Sequence, residues 1–441
     1  MVKRLRDVRP ATVLGIGWLV FIAYGWPGLV TMDSLDQLAE GRAWFFTDFH
    51  PPAMAALWGI LDRIIPGPLP MLVIQGTAFE LGLYLLLRRA LSPRKAAVWT
   101  VAVLLFPPVL APMVVIWKDC LMAGCFVLGT AAILDPRRNV RILGLVAFAA
   151  ATAVRYNAPA ATLPLVVLLF EWEPGKRALV RYATATAAWL ALTIAAMGLN
   201  AILVDQEMHF WTSSLAPQDI VGTLTKVDED IPDADLKALL DPTGLQYDHD
   251  IHARLRARYM PAEFTQYLAA PGPWTLPLSG TTPLPDAQQQ AMAHAWWTVI
   301  TSHQGAYVRY RLETFGETLG VFDHFLGATV IRHKGQPLVR FDQFGLRKGY
   351  WGWQDKLERW QLALAKHTRL FRPHVYVLLA IVLLGFTRRH RDVFALLVSG
   401  LMLELSLLPL VQTPDYRYSH WLVTVTCVSL ILLVARRARD P

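Results

Sequence analysis

ATVLGIGWLVFIAYGWPGLVTMDSLDQLAEGRAWFFTDFHPP, residues 11–52, decides how the rest of the chain is read. Its first half, 11–31, is an apolar run long enough to cross a bilayer, for which roughly 17 to 25 residues are needed. Its second half gathers Asp33, Asp36, Glu40 and Asp48, then His50 and a Pro-Pro pair, at the mouth of that run. Charge is costly in hydrocarbon, so the junction marks a boundary between membrane and water. The MVKRLRDVRP before it has the charge of a signal n-region, but the long apolar run without a small-residue cleavage site reads as a retained first span.

Composition agrees. Of 441 residues 54% are hydrophobic and only 17% charged, and the mean hydropathy is +0.35, values of a polytopic membrane protein whose first partner is the lipid bilayer. The net charge of +8 does not mark a nucleic-acid binder, because the basic residues fall in short clusters between apolar runs and form no stripe with interleaved aromatics. Cys120, Cys125 and Cys427 all lie in apolar stretches, so neither a disulfide framework nor a zinc site is indicated.

Apolar runs occupy 11–31, 68–87, 96–116, 119–134, 140–154, 157–171, 182–203, 373–387, 393–412 and 420–435. Basic clusters begin at Lys3, Arg88, Arg137, Lys176, Arg388 and Arg436. Placing all of them in the cytoplasm, as the positive-inside rule asks, gives about ten spans with both termini cytoplasmic. The segment PPAMAALWGILDRIIPG, 51–67, is left without a crossing to make and reads as an interfacial or re-entrant helix on the outer side. Residues 204–372 form the one long polar segment and fall outside. Within it 293–322 has helical apolar spacing, and 328–342 reads as two short strands around Lys334-Gly335-Gln336. The fold expected is an all-α polytopic membrane protein: an N-terminal transmembrane module, 1–203, whose first outer loop is 32–67; a mainly helical extracytoplasmic domain, 204–372; and a C-terminal transmembrane module, 373–441.

This topology puts charge from four regions on one face: the acids of the first loop, Trp117-Lys118-Asp119, Arg155-Tyr156-Asn157, and Asp415-Tyr416-Arg417-Tyr418. Convergence of ionisable groups at membrane depth points to a functional site; the alternative for any one of them is a solvated anchor at a span end. Asp33, Asp36, Gln37 and Glu40 share one helical face, and Asp33 and Asp119 each stand where an N-cap would, a role worth about 1 kcal/mol.

An Asp just beyond the first span, followed in the same loop by a basic residue and Pro-Pro, resembles the first outer loop of GT-C glycosyltransferases. It is most similar to the protein O-mannosyltransferase and aminoarabinose transferase group, the family 39-like bacterial membrane proteins. That group has an Asp-Glu pair and then HPPL or KPPL; this chain has Asp33-Ser34 and His50-Pro51-Pro52-Ala53. Asp119, Arg155 and Arg417-Tyr418 stand where the family has an outer acid, a basic residue and an Arg-Tyr pair. The likeness runs through 11–172 and 373–435. It implies a bacterial plasma-membrane enzyme that moves a sugar from a polyprenyl-phosphate donor to a lipid, glycan or protein acceptor of the cell envelope.

That chemistry asks for one base and several cations, because phosphate is already a good leaving group. Asp33 is the candidate general base, with inversion at the anomeric carbon. Lys118, Arg155, Arg417 and His50 are candidates to hold the donor phosphate, with Asp48, Asp119, Asp36 and Tyr418 in support. No cofactor is obligatory. Asp33, Asp36 and Asp48 are hard oxygen ligands that leave room for a divalent cation, although Ser34 removes the most natural bidentate arrangement. The acidic runs 228–235 and 248–252 lack metal-site spacing and read as solvated loops. Trp296, Trp297, Trp351 and Trp353 suit either sugar stacking or an interfacial belt. Two rivals remain at this stage: a proton-coupled transporter using mid-span Glu80 and Glu404, and a non-catalytic envelope scaffold, which predicts no clustering of the outer charges.

Overall fold

The computed structural model describes residues 9–170, 175, 177–247, 274–275, 283–322, 338–346 and 351–438. Among them ten helices precede the polar segment 204–372: α1 (Pro10–Gly25), α2 (Met32–Ala43), α3 (Pro52–Asp62), α4 (Leu69–Leu87), α5 (Pro93–Leu104), α6 (Pro107–Met113), α7 (Lys118–Ile133), α8 (Arg138–Val154), α9 (Ala158–Phe170) and α10 (Ala178–Leu203). Prolines 10, 52, 93 and 107 open their helices, where the missing N–H has no bond to lose. The polar segment supplies α11 (Ala216–Leu224), α12 (Asp233–Leu240), α13 (Asp286–Ser302), α14 (Gln304–Thr318), α15 (Leu338–Gln343) and α16 (Gly352–His367). The chain closes with α17 (Pro373–Leu384), α18 (Arg391–Leu410) and α19 (His420–Arg437).

Each of the ten apolar runs contains a helix. By length and apolarity four helical stretches are able to cross a membrane: α4, α10, α18 and Tyr416–Arg437. The run 96–116, expected as one span, is instead broken: α5 and α6 meet at 68°. Pro107 and Pro108 lack amide protons and their rings collide with the preceding turn, so the helix stops at Leu104 and restarts in a new direction. Taken together as one broken span, the pair makes a fifth. After α6 the chain runs extended beside the end of the first apolar run, with Leu29 N–H donating to Val114 O (3.2 Å) and Ile116 N–H to Leu29 O (2.8 Å).

The main core is built around α7. Residues 119–124, 126 and 127 are all buried, the mark of a helix enclosed on every side, and α7 packs on α4, α8, α9 and α19. Phe126 meets Phe148 and Trp421 there. Two of the basic clusters meet at one end of this bundle: Arg89 donates to Leu134 O at 2.9 Å and acts electrostatically on Asp392, which itself pairs with Arg436. Lys118, Arg155 and Arg417 lie at the other ends of their helices.

In the segment 51–67 the helix is α3, packed across α2. Gly41 and Gly59 make the crossing so close that a Cβ on either would strike the other helix's backbone. Arg42 and Asp62 fasten the pair through two hydrogen bonds, Nε to Oδ2 (2.9 Å) and Nη2 to Oδ1 (3.0 Å).

In the polar segment Ile220, Leu224, Leu236, Leu240, Met292 and Val299 form a second, smaller core. The expected 293–322 helix is interrupted at His303 between α13 and α14. Residues 338–343, expected as the second strand of a hairpin, are helical as α15; the rest of that hairpin lies outside the described residues. A two-residue antiparallel pairing joins Gln246–Tyr247 to Trp274–Thr275. Within the acidic run 228–235 the chain enters α12 at Asp233, and Asp228 pairs with Arg309; the run 248–252 also lies outside the described residues.

Candidate active site

The site begins with how α2 starts. Its N-cap is Thr31, not Asp33. Trp117 Nε1 donates to Thr31 Oγ1 (2.9 Å), and Ser34 Oγ accepts from Thr31 N–H (3.0 Å) while donating to Ile116 O (2.8 Å). With the single Ser34 proton committed to that carbonyl, the 3.2 Å contact between the two hydroxyls has Thr31 as donor. This relay caps the helix and leaves the Asp33 carboxylate, one position inside it, to face elsewhere.

Asp33 turns to a cavity of about 800 Å³, lined also by Asp48, His50, Lys118, Arg155, Tyr156, Arg417 and Tyr418. Arg417 Nη2 lies 2.7 Å from Asp33 Oδ2, and its Nε lies 3.0 Å from Asp415 Oδ2. The guanidinium covers the Trp117 ring at 4.7 Å from its centroid. Arg155 is ion-paired with Asp119, bonds Asn157 Oδ1 at 2.8 Å, and sits 4.9 Å from the Tyr418 centroid. Asp119 is 1% exposed and its other oxygen is 4.0 Å from Arg417 Nε, so it stands behind both arginines. It too is not an N-cap: α7 begins after Trp117 without a side-chain cap, and Arg155 takes the carboxylate.

Lys118 Nζ lies 2.9 Å from His50 Nδ1. An ammonium has no lone pair, so the imidazole accepts through Nδ1 and carries its proton on Nε2. That nitrogen is buried without a partner. Burial, then the Lys118 charge, pushes the imidazole down to about 3, so His50 meets a ligand as a neutral donor. Burial alone would raise the Asp33 carboxyl, but Arg417 and Lys118 hold it well below the usual carboxylate range. Burial pushes Asp415 up to about 6.

Asp48 anchors the roof, its Oδ1 accepting from the Met208 amide, while its carbonyl accepts from Tyr156 Oη at 2.9 Å. Asp36 is half-buried and is not part of the cavity wall. Glu40 accepts from Thr47 through both its hydroxyl (2.6 Å) and its amide (3.2 Å), and burial pushes it up to about 7. Among the described residues no three His, Cys, Asp or Glu side chains are grouped to hold a metal ion. Asp33 and Asp48 are engaged by Arg417 and by the Met208 amide instead.

The roof itself went unread in the sequence. His209, Phe210, Trp211, Thr212 and Ser214 line the cavity, and Ser214 bonds Gln412 across it. The aromatic run HFW just after α10 was the available signal.

No protein-family model matches the chain, and searches of curated proteins and of solved structures find no match either.

Proposed function

We propose that the chain is a GT-C-type integral membrane glycosyltransferase, moving a sugar from a polyprenyl-phosphate donor to a cell-envelope acceptor on the outer face of a bacterial plasma membrane. In this reading all ten apolar runs cross, the one at 96–116 as the broken pair α5 and α6, both termini are cytoplasmic, and no metal is obligatory. The observation that carries it is convergence: Asp33, Lys118, Arg155 and Arg417, from four separate regions, share the wall of one cavity. The scaffold rival predicts no such clustering. The transporter rival has less support, because Glu404 accepts from Ser419 Oγ at 2.7 Å, two residues beyond Arg417.

The acceptor oxygen attacks the anomeric carbon from the face opposite the phosphate, the carbon–oxygen bond to phosphate breaks with its electron pair going to phosphate, and the acceptor proton passes to Asp33. Lys118, Arg155 and Arg417 offset the charge that develops on the leaving phosphate, and His50 Nε2–H adds a neutral donor. At rest Asp33 is ionised but, tied to Arg417, a weak base. A phosphate that draws Arg417 to itself loosens that tie and raises the basicity of Asp33 as the donor arrives.

The test is transfer of radiolabel from a polyprenyl-phosphate sugar in membranes holding the full chain. Asp33→Asn should leave the protein folded and abolish transfer; near-normal turnover in that variant overturns the assignment.

A further inference from the structure

A path of aromatic rings leads out of the cavity. His50 meets Phe49 at 5.1 Å between centroids, Phe49 meets Phe210 at 5.4 Å, and Trp211, next in the chain, meets Trp296 at 5.3 Å. Trp296 continues to Trp297 at 6.4 Å. The first four line the cavity, whereas the last two belong to α13 on the outer domain. Trp211 is 40% exposed and Trp297 64%.

The path is held rigidly. His209 has φ 52°, a left-handed conformation that a non-glycine residue adopts at some cost. A π-helical turn follows at Trp211–Leu215, a form frequent at functional sites. Trp296 Nε1 donates to Asp219 Oδ2 at 2.8 Å, and the buried Asp219 is ion-paired with Arg311. Tryptophans of a membrane belt place an apolar ring in lipid and a polar edge among headgroups. The Trp296 N–H points inward, which separates this path from such a belt.

Rings alternating with hydroxyl and amide side chains, here Thr212, Ser214 and Gln289 on the same cavity wall, match the two kinds of surface that a pyranose presents: an apolar C–H face and a rim of hydroxyls. Peptide recognition by an added strand relies on a free sheet edge, and among the described residues the path from Phe210 to Trp297 offers none; the charged groups of the cavity lie at its His50 end. We infer that the acceptor is a glycan chain whose sugar rings stack along Phe210, Trp211, Trp296 and Trp297, with its terminal hydroxyl delivered to Asp33. The direction of the chain rests on the glycosyltransferase reading; the binding surface does not.

The full chain in lipid nanodiscs, titrated separately with α-1,6-mannohexaose, chitohexaose and maltohexaose and followed by calorimetry and tryptophan fluorescence, tests this. At least one oligosaccharide should bind saturably. Trp211→Ala and, at the more exposed position, Trp297→Ala should each weaken it about tenfold, while Trp99→Ala, an exposed ring of α5 that does not line the cavity, binds like the wild type. Binding by none of the three overturns the inference. So does selective protection of these tryptophans by a Ser/Thr-rich peptide, which makes the acceptor a protein. Quenching of Trp211 and Trp297 by brominated phospholipid, read as the difference from Trp→Phe variants, also overturns it and makes the path a lipid belt. Failure of the glycosyltransferase reading shows separately, as absent transfer with oligosaccharide binding intact.

Discussion

Arg417 Nη2 and Asp33 Oδ2 lie 2.7 Å apart, joining the first outer loop to the turn before the last helix. If Asp33 is the base and Arg417 the group that releases it, Asp33→Asn lowers transfer by about two to four orders of magnitude. Arg417→Lys keeps the charge and loses the two-pronged geometry, so it should lower transfer less than Arg417→Gln. Radiolabel transfer at saturating acceptor checks both; equal losses for Lys and Gln would remove the geometric part of the argument.

Asp119 is buried between Arg155 and Arg417. Removing its charge alone leaves the buried Arg155 uncompensated, so Asp119→Asn should destabilise the protein by about 3 to 5 kcal/mol. The double change Asp119→Leu with Arg155→Met should unfold at a higher temperature than Asp119→Asn while lacking activity. Thermal unfolding in detergent compares them.

Ser34 replaces the second acid of the family pattern that the first loop resembles. It is fully buried and its hydroxyl holds Ile116 O and Thr31 N–H. Ser34→Ala should cost about 1 to 2 kcal/mol. Ser34→Glu, which restores the acid, should cost more, because a longer charged side chain has no room there. Limited proteolysis of the first loop reports whether it detaches in either variant.

His50 should stay neutral across the physiological range, being pushed down to about 3 by burial and then by Lys118. Lys118→Met removes a positive neighbour, favours the protonated imidazole, and should move its titration upward while burial keeps it below the ordinary histidine range. The sign for stability follows: with a depressed folded value, stability associated with His50 is full above about 6.5 and falls as pH drops toward 3. Nitrogen-15 spectra of labelled histidine measure the shift, and an unchanged His50 would remove Lys118 from its causes.

Much of the architecture was written in periodicity and charge. Apolar length marked the helices, and the spacing of the arginine clusters grouped Lys118, Arg155 and Arg417, which line one cavity. What escaped depends on geometry that no local pattern carries. Asp33 has a good capping side chain, yet Thr31 won the cap because Trp117 and Ile116, distant in sequence, complete its hydrogen bonds. The 96–116 run passed as a span by hydropathy, though Pro107-Pro108 stood in it. Phe210 and Trp211 reach the cavity through the left-handed His209, a conformation with no signature in composition.

The Trp117–Thr31–Ser34–Ile116 relay has a mechanical consequence. It pins the start of α2 to the residues just before α7, so Asp33 and Lys118 each sit within two positions of the same clamp and form a fixed baseline. Arg417 belongs to a different loop and meets that baseline only through its side chain. In the proposed reaction a phosphate would therefore meet one wall fixed by that clamp and one held to it by the Arg417 side chain alone.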